Sequence, residues 1–148
     1  MEIMDNMKNI ALVAHDNRKN NLVEWVKFNK DTLLKHNIIC TGTTGRLVKE
    51  VIGDKNIALL RSGPLGGDQQ LGAMITNGEI DILIFFWDPM EPMPHDVDFK
   101  ALLRIAVLYN IPTACNRSTA DFIISSDLFN GEYKPILDDF SSYTQRKI

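Results

Sequence analysis

The chain has 148 residues, 45% hydrophobic and 24% charged, with 16 basic against 19 acidic side chains and a formal net charge of −3. This is the composition of a soluble globular protein, and the length fits one domain, residues 1–148, with a full core and no second. Slight acidity without a basic stripe argues against nucleic acid as a partner. The longest apolar run, Ile82 to Trp87, is too short to span a bilayer. Met1 to Asp5 lack a signal peptide's basic and apolar regions, so a cytoplasmic chain with no membrane association is expected.

In chain order, the first β-rich run is Ile10–Ala14, which ends in His15-Asp16. A helix over Asn21–Lys35 follows, with Leu22, Trp25, Val26 and Leu33 close to one stripe. Next come a strand at Ile38–Cys40, the loop Thr41-Gly42-Thr43-Thr44-Gly45 and a helix over Thr44–Val51. Strand Ile57–Leu60 leads through Ser62 to Asp68 into a helix over Gln69–Asn77. Strand Ile82–Phe86 precedes a proline-rich loop and a helix over Asp98–Tyr109. Strand Ile111–Cys115 and a short helix over Thr119–Ser125 complete the regular pattern. Pro135–Leu137 reads as an edge strand and Phe140–Ile148 as a loose terminal helix.

Short apolar runs joined by helical crossovers imply an α/β fold: one doubly wound domain with a mainly parallel five-stranded sheet and helices on both faces. In such a sheet the carboxyl ends of the strands share one edge, where ligands bind. Every loop expected at that edge is polar, and the opposite ends carry little comparable chemistry. That clustering points to an active site.

The stretch Ser62-Gly63-Pro64-Leu65-Gly66-Gly67-Asp68-Gln69-Gln70 carries most information. Its glycines let the backbone approach a ligand, and helix-start N–H groups hold anions. Asp68 would repel a phosphate in a simple anion cradle, which points to phosphate binding at one end and proton chemistry at the other. Capping the following helix is the ordinary fate of such an aspartate, but a cap needs no glycine pair. Thr41 to Gly45 offers backbone N–H groups and hydroxyls that suit a phosphate monoester, and equally suits a helix cap. Lys19, four residues after His15, is either a solvated lysine or a charge for the same phosphate. The loop Trp87 to Val97 holds three prolines with Asp88, His95 and Asp96, and Asp98 follows at once. Its spacing fits acid–base work better than a metal site. His36, in a polar turn, is assigned nothing, and Arg104 and Arg117 are open between subunit contacts and anions. Cys40 and Cys115 read as buried reduced thiols without metal spacing.

Taken together, Val13-Ala14-His15-Asp16, the threonine loop, the Ser62–Gln70 stretch, Phe85-Phe86-Trp87-Asp88-Pro89, Pro94-His95-Asp96 with Asp98, and Asn116 with Ser118-Thr119-Ala120-Asp121-Phe122 resemble the methylglyoxal synthase family. The match is strongest over residues 8–139. The resemblance implies a lyase that turns dihydroxyacetone phosphate into methylglyoxal and inorganic phosphate. It also implies a homohexamer, inhibition by phosphate, and no metal or organic cofactor. By motif, Asp68 would be the general base, His95 a donor to the carbonyl or enediolate oxygen, and Asp98 a second acid–base carboxylate. His15, Lys19, Thr41, Gly42, Thr43, Thr44, Ser62, Gly63 and His95 would bind substrate. In relatives a basic residue near the C-terminus helps at a subunit boundary, a part open here between Arg146 and Lys147. Should Asp68 and Asp98 lie close, their repulsion would keep one protonated. The rival reading is a metabolite-sensing module of the same fold, which would not need the trio Asp68, His95 and Asp98. A phospho-accepting receiver domain is rejected, because its third strand should end in an aspartate and here leads into Arg61-Ser62.

Overall fold

A computed structural model describes residues 7–90 and 96–141. Its five strands, β1 (Asn9–Ala14), β2 (Asn37–Thr41), β3 (Ile57–Leu60), β4 (Ile82–Phe86) and β5 (Thr113–Ala114), form one parallel sheet in the order β3-β2-β1-β4-β5. The helices are α1 (Lys19–Phe28), α2 (Lys30–Leu33), α3 (Gly42–Ile52), α4 (Gly67–Thr76), α5 (Asp96–Leu108), α6 (Arg117–Ile124) and α7 (Asp127–Asn130).

Strand periodicity divides the core into two layers. Ile10, Leu12, Ile38, Cys40, Ile82, Ile84 and Phe86 face α1, α3, α6 and α7, packing with Leu22, Trp25, Val48, Ala120 and Phe129. Ala11, Val13, Ile39, Leu83 and Phe85 face the other way, against Leu71 and Ile75 of α4 and Phe99, Leu102 and Ala106 of α5. β4 is buried along its whole length, which explains why its sequence is a continuous apolar run and not an alternating one. Trp25 is fully buried and donates its indole N–H to Asp121 Oδ1 at 2.9 Å, tying α1 to α6. Burial of one such large side chain is worth about 1.5–3 kcal/mol.

Because the first two crossovers cover one face and the next two the other, chain order reverses between β1 and β4. That switch point opens a crevice beyond the strand carboxyl ends.

Several boundaries differ from the sequence reading. The expected helix Asn21–Lys35 is α1 and α2, broken at Asn29, whose side chain donates back to the Trp25 carbonyl at 2.9 Å. β5 has two residues instead of five, since Pro112 has no N–H for a ladder. Pro135–Leu137 forms no strand; the Ile136 carbonyl accepts from Asn110 Nδ2 at 2.9 Å. The terminal helix expected over Phe140–Ile148 lies almost wholly outside the described residues.

Candidate active site

At the carboxyl edge, a cavity of about 380 Å³ is lined by Val13, Ala14, His15, Asp16, Lys19, Thr41, Gly42, Thr43, Thr44, Ser62, Gly63, Asp68 and Phe85. The structure thus brings together His15, Lys19, the four residues Thr41–Thr44, Ser62, Gly63 and Asp68, from the connections that follow β1, β2 and β3. His95 lies outside the described residues. Asp98 falls in the first turn of α5, with its side chain outside them, and Arg146 and Lys147 are also outside.

Three helices begin at this cavity, α1 at Lys19, α3 and α4. α3 starts at Gly42, two residues earlier than the sequence suggests, so Gly42, Thr43 and Thr44 are its first turn and Thr41 the residue before it. Their unpaired N–H groups and the positive end of the helix dipole face the opening. Thr41 and Thr44 are buried, and Thr41 makes no side-chain cap bond to the helix. Gly42 takes a left-handed φ of 47°, and a β-carbon there would stand 2.7 Å from Ser62 Cα. Only glycine lets the two loops touch.

The second turn is wound tightly: Gly67 N–H donates to the Ser62 carbonyl at 2.9 Å and Gly66 N–H to the Gly63 carbonyl at 3.0 Å. A β-carbon on Gly67 would fall 1.9 Å from the Arg61 carbonyl oxygen. α4 is preceded by Gly66 in the left-handed region, so Asp68 is the second helical residue and not its cap. The Asp68 side chain is buried, and its carboxylate oxygens lie 3.5 Å from where a Gly63 β-carbon would be. A carboxylate in the first helical turn is favoured by the dipole.

Lys19 Nζ donates to Thr43 Oγ1 at 2.6 Å and pairs with Asp16 Oδ1 at 2.8 Å, which settles it at the site instead of in solvent. Asp16 also lines the cavity, and its place two residues beyond the end of β1 is the signal that marks it in the sequence. His15 is buried against Phe85 and Phe99, edge-on to both, with ring centroids 5.2 and 5.0 Å away. Its Nδ1 accepts the Asp88 N–H at 3.1 Å. Asp88 is itself buried, and its carboxyl is held below the usual range chiefly by the Met90 N–H, with Asn17 and Arg18 adding to it.

Other expectations resolve away from the cavity. Arg117 pairs with Glu24 at 2.8 Å within the chain, and Arg104 is exposed on α5. Burial pushes the Cys40 thiol up to about 12, whereas Cys115 is only half-buried, correcting the reading of both as buried. His36 lies at the turn after α2, as read, and is buried there: its Nδ1 accepts the Lys8 N–H at 2.9 Å and its ring packs on Phe129. A larger cavity of about 650 Å³ lies at the amino edge, lined by Lys8, Asp81, Pro112, Phe122, Phe129 and Tyr133 among others. Its lining includes one threonine, Thr119, whose hydroxyl donates to Asn116 Oδ1 at 2.8 Å, in place of the threonine cluster at the start of α3. Among the described residues no group of three His, Cys, Asp or Glu is placed to hold a metal ion, and no helix is long and apolar enough to cross a membrane.

Sheet order and crevice define a doubly wound α/β domain with a cavity at the carboxyl edge of its sheet. The family model described as MGS-like domain matches residues 21–115. A methylglyoxal synthase of Maridesulfovibrio salexigens is 59% identical, over 98% of this chain and 100% of its own. One from Leptospira interrogans is 55% identical over 95% and 94%. The crystal structure of methylglyoxal synthase from Elizabethkingia anophelis superposes with a TM-score of 0.90 at 52% identity, covering 97% of this chain and 93% of that one. The chain belongs to the methylglyoxal synthase family and is an enzyme.

Proposed function

We propose that the chain converts dihydroxyacetone phosphate to methylglyoxal and inorganic phosphate in the carboxyl-edge cavity. The observation that carries this is the meeting of Asp68 with eight anion-directed residues in one 380 Å³ space, in a chain of this family. The phosphate is held at the start of α3 by N–H groups and the hydroxyls of Thr41, Thr43 and Thr44, with Lys19 supplying charge. Ser62 and Gly63 close the cradle from the neighbouring loop.

Asp68, across the cavity, takes a proton from the hydroxymethyl carbon. The electron pair moves onto the carbonyl to give an enediolate, whose oxygens receive hydrogen bonds from His15 and His95. The C–O bond to phosphate then breaks, releasing inorganic phosphate and the enol of methylglyoxal. Protonation of that enol at its terminal carbon completes the reaction, with Asp98 as the second acid–base carboxylate. A matched general base supplies about 10²–10⁴ in rate. One preorganised donor to the developing oxyanion adds roughly 3 kcal/mol.

Elimination requires the C–O bond to stand perpendicular to the enediolate plane, overlapping its π system. Holding the phosphate between Thr41–Thr44 and Ser62–Gly63 sets that torsion, and a bound enediolate mimic with an in-plane phosphate would count against it. Phosphate, as product, fits the same cradle and is expected to inhibit. We further infer one domain over residues 1–148, a homohexamer, a cytoplasmic location and no metal or organic cofactor. Incubation with dihydroxyacetone phosphate, following methylglyoxal and free phosphate together, tests the activity. Equal release supports it, and absence of both overturns it.

A further inference from the structure

The loop after β1 and the turn after β4 are stitched together at His15. His15 N–H donates to the Phe86 carbonyl at 3.2 Å, and Asp88 N–H donates to His15 Nδ1 at 3.1 Å. An imidazole nitrogen that accepts from a backbone N–H carries no proton, so in the neutral ring the hydrogen is on Nε2. Whatever Nε2 meets, substrate included, then meets a donor. Phe85 and Phe99, in contact with each other, both meet the ring edge-on and restrict its orientation as well.

The Asp88 N–H can select a tautomer only if it stays in place, and the Asp88 side chain has three partners. Its Oδ1 accepts the Met90 N–H at 3.1 Å and lies 3.7 Å from Arg18 Nη2; its Oδ2 accepts from Asn17 Nδ2 at 3.2 Å. Asn17 and Arg18 are the third and fourth residues after β1, and Arg18 N–H donates to the His15 carbonyl at 2.8 Å. The ring, its backbone and the two gripping side chains therefore form a closed circuit of bonds between two strand ends. A carboxylate gripped by a cation and by neutral donors costs little to bury.

We propose that Asn17 and Arg18 are positioning residues: by clamping the Asp88 carboxylate they fix the Asp88 N–H on His15 Nδ1 and keep His15 a donor through Nε2. The role rests on the proposed function, since it prepares His15 to donate to the substrate's oxygens. It does not rest on a contact between Asn17 or Arg18 and the substrate.

The test uses the full chain labelled with [15N]histidine, read by two-bond ¹H–¹⁵N correlation without substrate. Wild type should show His15 protonated on Nε2 alone; an Nδ1–H pattern or an imidazolium at neutral pH overturns the proposal. In Asn17→Ala/Arg18→Ala the His15 pattern should spread to a mixture of tautomers, and kcat should fall on the order of tenfold, with KM changing less. Arg18→Lys should retain the wild-type pattern. Retention of the single tautomer and of kcat in the double variant also overturns the proposal. Should that variant fail to fold, Arg18→Gln, at a half-exposed position, is read in the same two ways. A wild type with the stated His15 pattern but no methylglyoxal release overturns the proposed function instead and leaves the clamp standing.

Discussion

His15 and His36 are bonded alike and stand at opposite edges of the sheet. Each is buried, each accepts a backbone N–H at Nδ1, and each packs edge-on to phenylalanine. Around His15 the neighbours are the N-termini of α1, α3 and α4, hydroxyls, a lysine and a buried carboxylate. Around His36 they are strand starts whose polar groups serve one another: Asn9 N–H donates to Asp81 Oδ2 at 2.8 Å, and Asn37 Nδ2 to Asn9 Oδ1 at 2.9 Å. Lys8 Nζ, beside His36, is spent on the Gly131 carbonyl at 2.6 Å. The imidazole's own bonding therefore does not distinguish a working residue from a structural one. Strand polarity does, because in a parallel sheet helices begin at the carboxyl edge and end at the other.

The sharpest way to break this contrast is to remove the proposed base. Asp68→Asn should lower methylglyoxal release by about 10²–10⁴ while calorimetric binding of phosphate stays near wild type. Normal turnover in that variant would remove the functional distinction between the edges. Next in size is a pair of glycine substitutions. Gly67→Ala drives a β-carbon into the Arg61 carbonyl and should cost roughly 3 kcal/mol or more in thermal or urea unfolding. Gly78→Ala, in the turn before the amino edge, has φ of 75° and open space, so its cost should stay near about 1–2 kcal/mol. Equal costs would show that the Ser62–Gly67 turn is not the tight element described.

Lys19→Met should raise KM about ten- to hundredfold with a smaller fall in kcat, the size of one charge-assisted bond to phosphate. An unchanged KM in steady-state assays would place the phosphate elsewhere. The smallest effect belongs to His36. Burial holds its imidazole below the ordinary range, with Lys8 and Lys35 adding, and Asp81 opposing. The unfolded chain takes up a proton there below about pH 6.5 and the folded chain does not. Its contribution to stability is thus complete above that pH and declines as pH falls below it. His36→Asn keeps an acceptor for the Lys8 N–H but does not titrate, so the loss in Tm between pH 8 and pH 5 should shrink. An unchanged loss would assign the acid sensitivity to other groups.

The fold was legible where burial is continuous. Ile82–Phe86 is a strand as read and buried throughout, and the stripe Leu22, Trp25, Val26 and Leu33 is the buried face of α1 and α2; Ile57–Leu60, also a strand as read, is a partly exposed edge. Boundaries escaped where one side chain decides them, as Asn29 does by turning back on the Trp25 carbonyl. The threonine loop was read as either a phosphate cradle or a cap; it is the first turn of α3, and Thr41 makes no side-chain cap bond to it. Asp68 was legible because glycines flank it. Asp88 as the anchor of His15 was not, since that bond uses its backbone N–H and spans 73 positions. The amino-edge cavity also left no mark in the sequence, being lined by ordinary core and turn residues from distant segments.

A crystal structure with a non-reactive phosphorylated enediolate mimic would decide where the chemistry takes place. The mimic should lie in the carboxyl-edge cavity, with its phosphate on the first turn of α3 and its reacting carbon against the Asp68 carboxylate. A mimic bound in the amino-edge cavity, or with its phosphate beside Asp68 and its carbon away from it, would contradict the assignment.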